Sequence, residues 1–370
     1  MAHRRSIAHM PLVISAVKTR DTTTMPESMP SGDAQHDGCG STDSHRQRIL
    51  VLGASGFIGR RIVRTLESSD WAVPIAASRS VSLHPPGSAE TLRLDATQPE
   101  AVRDALRGVA GVVNCIAGDS ESIVSSAKAL FAAVSSLTPP PRIVHLSTMM
   151  VYGTTVGTVD ESAALKGDWD DYSAAKTAVE LLARECKSVV QLRPGIVYGP
   201  DSLIWSGQVG QWLRQRRLGD LGEAGGGYCN LVHVDDVVEA VQRALRMPGV
   251  EGEVFNLSLP APPTWNDYFR QFAAALGTTV VLISRRRLLL EQHLVAPPLK
   301  IAELLSRKLP FRWRPPAPIR PWFVRLCGQA LRLDVRKAER VLGMSWTPLD
   351  QGLGESATWL LARDASSQSA

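Results

Sequence analysis

The sequence predicts an α/β protein: a doubly wound parallel sheet followed by a smaller, mostly helical C-terminal cap that would bind substrate. Three observations predict it. Short apolar runs alternate with helical stretches from Arg48 to about Pro200. The first run, Ile49-Leu50-Val51-Leu52, ends in a glycine-rich turn that opens a helix. After Pro260 the strand rhythm gives way to helices broken by Pro297, Pro298, Pro310, Pro315, Pro316 and Pro318. Strands separated by helix-length connections must pair in parallel, and a parallel sheet is covered by helices on both faces. At 370 residues and 44% apolar content, the chain suffices for one large domain or two modest ones.

Taken in order, residues 1–45 are rich in Ser, Thr, Asp, Gly, Pro and His, and read as a disordered arm. The apolar patch Met10–Val17 is too short and too poorly flanked for a signal peptide. A transit segment, or a true start at Met25 or Met29, are the alternatives. The spacing then predicts strands at 49–52, 73–77, 91–94, 111–116, 142–146 and 189–192, with a helix at 57–66 and helical segments between most of the others. Beyond Pro200 come a Gly-rich stretch at Gly219–Gly227, a strand-like Leu231–Val234 and a helix Asp236–Leu245. No internal repeat is present.

The net charge of +5 is small for this length but unevenly placed. Between Arg285 and Arg340 there are 14 Lys/Arg against 4 Asp/Glu, so any polyanion or anionic lipid would meet the chain there. A peripheral membrane contact through 285–322 is one expectation, with the leucines turned inward and the arginines toward headgroups; a cap helix with solvated arginines is the other. Nucleic acid has no motif behind it beyond charge. The five cysteines are scattered without a CxxC pair, which suggests neither a disulfide framework nor a zinc site and fits a reducing cytoplasm. No apolar run approaches the ~20 residues that span a bilayer.

Gly53-Ala54-Ser55-Gly56-Phe57-Ile58-Gly59 lies directly after a predicted strand and directly before a predicted helix. Glycines there let the turn tighten and the backbone approach a pyrophosphate, while the helix N-terminus supplies N–H groups and the positive end of the dipole. The segment therefore reads as a dinucleotide cradle. Downstream, Tyr172-Ser173-Ala174-Ala175-Lys176 sets a phenol and an ammonium on one helix face, after a strand ending in Ser147-Thr148-Met149-Met150-Val151-Tyr152-Gly153.

With its G-x-x-G-x-x-G spacing and Tyr-x-x-x-Lys pair, the chain resembles the extended short-chain dehydrogenase/reductase family, the epimerase/dehydratase-like group, from about Ile49 to Ala362. The resemblance implies a Rossmann-like dinucleotide domain over 46–200, rejoined by 228–258, and a substrate cap built from 201–227 and 259–365. It implies cofactor contacts at Gly53, Ser55, Gly56, Phe57, Ile58 and Gly59, and at Asp95 and Ala96 beside the adenine. It places Asn114 and Ala117 of Asn114-Cys115-Ile116-Ala117-Gly118 next to the cofactor, with Pro194 and Ile196 on the sixth-strand motif. In the family an acid after the second strand holds the ribose of NAD, whereas Ser78-Arg79 here welcomes the extra phosphate of NADP; NADP is favoured, with NAD the alternative. Arg79 as a solvated loop residue and Asp95 as a helix cap are the plainer readings.

The resemblance makes Thr148, Tyr172 and Lys176 the catalytic trio, with Ser147 the neighbouring candidate. A hydride moving to or from a carbon that bears oxygen needs a proton donor or acceptor at that oxygen, and a phenol with a pKa near ~10 is a poor base at neutral pH. A cation ~4 Å away contributes about 4 kcal/mol at an effective dielectric near 20, enough to lower the phenol's pKa by roughly 3. Lys176, helped by the oxidised nicotinamide ring, is expected to supply it, and Thr148 to orient the substrate oxygen.

Sugar-nucleotide relatives usually carry Asn where this chain has Ile196 and Arg where it has Cys229, and the dehydratases carry acids where it has Met149 and Met150. The expectation is therefore an NAD(P)-dependent oxidoreductase acting on an alcohol or carbonyl of fairly apolar character. The alternatives are a nucleotide-sugar epimerase with tightly bound NAD and a non-catalytic NADP-binding sensor. A homodimer through Ile123–Val134 and Ser173–Cys186 is implied by resemblance alone. Asp235 and Asp236 read as helix caps, His145 as a satisfied core histidine, and Trp205, Trp212 and Tyr228 as pocket lining or packing.

Overall fold

The computed structural model describes residues 46–80, 89–291 and 318–368. Its strands are β1 (Gln47–Leu52), β2 (Ala72–Ser78), β3 (Glu90–Arg93), β4 (Gly111–Asn114), β5 (Arg142–Leu146), β6 (Gly157–Val159), β7 (Val189–Pro194), β8 (Ile196–Tyr198), β9 (Leu231–His233), β10 (Val254–Leu257) and β11 (Leu331–Leu333). Seven of them form one parallel sheet in the order β3-β2-β1-β4-β5-β7-β10. The chain starts in the middle, winds outward through β2 and β3, then returns to β4 and winds the other way. This reversal leaves a crevice beyond the carboxyl ends of β1 and β4.

Six helices pack around or beside the sheet up to residue 246: α1 (Phe57–Glu67), α2 (Pro99–Ala105), α3 (Ser120–Ser135), α4 (Asp171–Ala183), α5 (Val209–Arg214) and α6 (Val234–Arg246). Along β1, Ile49 and Val51 turn to the face shared with Ile62, Leu66, Val237 and Val241, from α1 and α6. Leu50 and Leu52 turn to the opposite face, against Val102, Leu130, Val134 and Val179, from α2, α3 and α4. Both faces are buried, so the strand reads as an unbroken apolar run.

A third apolar cluster lies outside the sheet. In it Trp212 of α5, Trp265, Tyr268, Phe269 and Phe272 of α7 (Trp265–Ala275) and Phe323 of the helix Pro321–Cys327 pack together. Asn230 ties this region to β11, donating to Leu331 O at 2.8 Å and accepting from Leu333 N at 2.9 Å. Among the described residues, no helix is long and apolar enough to cross a membrane.

The structure departs from the sequence reading in the last strand positions. Leu231–His233 does not join the main sheet; it pairs with β8 in a separate two-stranded parallel ribbon. The seventh position of the sheet belongs instead to β10, whose Val-Phe-Asn-Leu is short and interrupted by a polar residue. β4 ends at Asn114, not at residue 116, because the Asn114 side chain accepts from Ile116 N at 3.1 Å and turns the chain. Of the basic segment, Arg285–Leu290 forms a helix capped by Ser284. The arm 1–45 and residues 292–317 lie outside the described residues.

Candidate active site

The glycine loop is built by close backbone approach. Gly53 has φ +77°, and a Cβ on it would sit 2.9 Å from Cys115 O. On Gly59 a Cβ would sit 2.3 Å from Gly53 O, so the first turn of α1 can lie on the loop only with glycine there. Gly56 precedes α1 without a side-chain cap, and no acid occupies the helix's first turn. Ser55, Phe57 and Ile58 complete this edge, which offers backbone N–H groups and a positive dipole end to an anion. A dinucleotide's pyrophosphate fits this cradle.

The other candidate cofactor residues gather at the same end of the sheet. Ser78 closes β2, donating through its hydroxyl to Ser80 O at 2.7 Å, and Arg79 beside it is exposed. Thr97 donates to the Asp95 carboxylate through both its N–H (3.1 Å) and its hydroxyl (2.8 Å), which holds that carboxyl below the usual range, with Arg79 adding to the effect. Gln98, not Asp95, is the residue that precedes α2 as its cap. Asp119, whose side chain accepts from Ser122 at the start of α3, is likewise lowered chiefly by those bonds and further by Arg79. The guanidinium thus stands among the ends of β2 and β3 and the start of α3. Ala96 is buried, whereas Ala117 is exposed. Pro194 closes β7 and Ile196 opens β8, both buried.

The three proposed reacting side chains converge. Thr148 follows β5, and its hydroxyl accepts from Met150 N at 3.2 Å, which caps the short 3-10 turn Met149–Tyr152. The same side chain lies near enough to the phenol of Tyr172, in the first turn of α4, to lower that phenol's pKa. That helix begins where Asp170 and Ser173 form a reciprocal capping box, which fixes the orientation of the turn bearing Tyr172. One turn on, Lys176 is 2% exposed and donates from Nζ to Leu146 O at 2.9 Å and Ile116 O at 3.3 Å.

The electrostatics differ from the sequence expectation. Burial pushes the Tyr172 phenol up to about 12, with the Thr148 bond opposing and Asp170 adding to the rise. Burial also lowers Lys176 to about 8, while Cys115 and Glu180 pull it back. Burial of the phenol therefore outweighs any help from the ammonium, which donates to two carbonyls at the ends of the neighbouring strands.

Several neighbouring readings change as well. Ser147 turns away from the site and donates to Glu180 at 2.5 Å. Glu180 also receives Arg193, through Nε at 2.9 and 3.1 Å and Nη2 at 2.6 Å, as a buried pair that the sequence reading did not foresee. Its signal was present: Glu180 lies four and eight residues beyond Lys176 and Tyr172, on the stripe of α4 that faces the sheet. His145 is buried edge-on to Phe131, but both ring nitrogens lack partners among the described residues, so it is a core histidine without being a satisfied one. Asp235 and Asp236 are not caps. Asp235 pairs with Arg61 of α1, and Asp236 accepts from Thr347 N at 3.1 Å and its hydroxyl at 2.7 Å. Trp212 is buried and Trp205 partly so, both packed in the aromatic cluster, whereas Tyr228 is 39% exposed.

Residues 49–258 match the family model described as the NAD dependent epimerase/dehydratase family. The 2'-dehydrokanamycin reductase of Streptomyces kanamyceticus is 27% identical over 243 residues, which cover 62% of this chain and 67% of that protein. Among solved structures, the fold is similar to UDP-glucuronic acid 4-epimerase from Bacillus cereus in complex with UDP-glucuronic acid and NAD, at a TM-score of 0.64 and 19% identity over 86% of this chain and all of that one. It is also similar to dTDP-glucose 4,6-dehydratase from Bacillus anthracis in complex with NAD, with TM-score 0.66, 19% identity and coverage of 86% and 98%.

Proposed function

The chain belongs to the NAD dependent epimerase/dehydratase family, and on that premise we propose that it transfers a hydride between a nicotinamide cofactor and an alcohol or carbonyl substrate. The observation that carries this reading is the convergence of Thr148, Tyr172 and Lys176. A hydroxyl beside a phenol, one helix turn from a buried ammonium, stands at the carboxyl end of the sheet that also presents the glycine cradle. The nicotinamide cofactor, when bound, supplies or accepts the hydride. Tyr172 is the proton donor to the carbonyl oxygen in reduction, and its high pKa keeps the proton available at neutral pH. Thr148 holds the substrate oxygen against the phenol, and Lys176 is placed to steady the charge that develops when the proton leaves.

Met149 and Met150 follow Thr148 where a dehydratase would need proton-transferring groups, and neither can transfer a proton. Simple reduction or oxidation is therefore favoured over elimination. Ser78 and Arg79 favour NADP, because a guanidinium matches a phosphate in charge and geometry. An epimerase that regenerates NAD in each cycle is the second reading, supported by the fold neighbours named above.

The test is to titrate NADH and NADPH against the purified chain, then to screen ketones, aldehydes and nucleotide sugars for loss of absorbance at the preferred cofactor. Net cofactor consumption marks a reductase, whereas product without consumption marks an epimerase. Tyr172→Phe is expected to lower turnover by at least about 100-fold, the lower range of a lost acid-base catalyst, while cofactor binding persists. Unchanged turnover in that variant, or no binding of either nicotinamide cofactor, overturns the proposal.

A further inference from the structure

Behind Thr148, Tyr172 and Lys176 runs a buried polar chain that the reaction as described does not use. Glu180, 1% exposed, accepts from Ser147 Oγ and from three donor contacts of Arg193, itself 3% exposed. Arg193 Nη1 continues to Tyr152 OH at 2.8 Å, and that phenol donates onward to Asn256 Oδ1 at 2.7 Å. Asn256 Nδ2 in turn reaches Asp334 O at 3.2 Å. The chain joins α4, the end of β5, β7, the 149–152 turn, β10 and the segment after β11.

A buried ion pair is a poor source of stability, because desolvating both charges offsets most of their attraction and apolar replacements often serve equally well. Its position is more informative. Ser147 is the residue before Thr148, and Glu180 is one turn beyond Lys176. The charged or titratable groups acting on or near Lys176 are Glu180 and Tyr172 from its own helix, Cys115 from the end of β4, His145 from β5 and, through its pair with Glu180, Arg193 from β7. Of these, Glu180 is the only carboxylate.

We propose that Glu180 is the positioning residue of this site: through Ser147 it fixes the strand end that carries Thr148, and through its charge it keeps Lys176 an ammonium in a buried place. The inference rests on the reading of Thr148, Tyr172 and Lys176 as the reacting group, but its test uses neither substrate nor turnover, so a failed activity screen leaves it standing.

The full chain is labelled with ¹³Cε-lysine, which gives eight side chains to resolve. The Lys176 signal is identified by its loss in Lys176→Met and titrated by NMR. Glu180→Gln keeps the volume and an oxygen for Ser147 but removes the charge. The expected result is about a tenfold loss of proton affinity at Lys176, with the midpoint about one pH unit lower, and no change at Lys337. An unmoved Lys176 midpoint in folded Glu180→Gln overturns the electrostatic half.

Ser147→Ala tests the other half while keeping both charges of the ion pair. Amide exchange across 147–152 is expected to quicken about tenfold and to be restored in Ser147→Thr. Unchanged exchange overturns the positional half, and should Glu180→Gln not fold, this second measurement decides the proposal.

Discussion

A lysine held by backbone carbonyls in the interior makes a measurable demand on the protein. Lys176 titrates near 8 in the folded chain, chiefly through burial, against an ordinary 10.5. Below pH 8 both folded and unfolded chains hold the proton, and the full cost of burying the charge is present. Between 8 and 10.5 the unfolded chain binds it more strongly, so stability rises with pH across that window, by ~3 kcal/mol in total from this group. Tyr172 has the opposite sign. Raised from 10.0 to about 12, it stays protonated when the unfolded chain has already lost its proton, so its contribution to stability is fully present below 10 and is lost as the pH climbs to 12. Lys176→Met is therefore expected to melt several degrees above the parent chain at pH 7, with the advantage shrinking toward pH 10, while losing turnover. Thermal unfolding of the cofactor-free proteins at both pH values checks this, and equal melting temperatures at pH 7 would show that the buried ammonium costs the fold nothing.

At the scale of elements, the loop from β1 to α1 works only because two backbone segments nearly touch. Gly59→Ala puts a methyl 2.3 Å from Gly53 O, a separation that forces the helix off the loop. Loss of nicotinamide cofactor binding by at least about 100-fold is expected in an equilibrium titration. Gly354, in the helix Leu349–Gln368, has nothing within 4 Å of where an alanine methyl would sit, so Gly354→Ala serves as the control. It is expected to leave binding intact and to stabilise by about 0.5–1 kcal/mol, because alanine loses less backbone entropy in a helix. Equal losses in the two variants would mean that the loop is not the cradle. This loop was legible in the sequence because a buried strand, a glycine turn and an amphipathic helix each leave a local trace. β10 was not: Asn256 interrupts its apolar run, and its burial is rewarded by hydrogen bonds to Tyr152, Val159 O and Asp334 O, all far away along the chain. The Glu180–Arg193 pair was half legible: spacing sets Glu180 on the same face of α4 as Tyr172 and Lys176, but nothing near Arg193 in the sequence says which acid it will meet. Tyr172 and Lys176, by contrast, are set four apart on one helix, where spacing alone decides their common face.

For the molecule as a whole, sheet order decides where a cofactor can lie. Since β1 stands between β2 and β4, the glycine loop, Arg79, Asp95 and Asp119 are all carried to one edge from separate parts of the chain. Thr148, Tyr172 and Lys176 are brought to the carboxyl end of the same sheet by β5 and α4. A dinucleotide laid along that edge is bound by the folded chain and not by the unfolded one, so its affinity can be read as stability. At a concentration 100 times the dissociation constant, the gain is about 2.7 kcal/mol. Arg79 acts through its charge on Asp95 and Asp119, and its exposed guanidinium offers charge-assisted hydrogen bonds worth about 1.5–3 kcal/mol to a phosphate, on the order of ten- to a hundredfold in affinity. NADPH is therefore expected to raise the melting temperature more than NADH at equal concentration. Arg79→Ala should erase most of that difference, acting on NADPH alone. Removing the cation leaves the charges of Asp95 and Asp119 unopposed at this corner, which disfavours an added phosphate more than a ribose hydroxyl. A larger shift with NADH in the parent chain would assign Arg79 to solvent and the adenosine end to NAD.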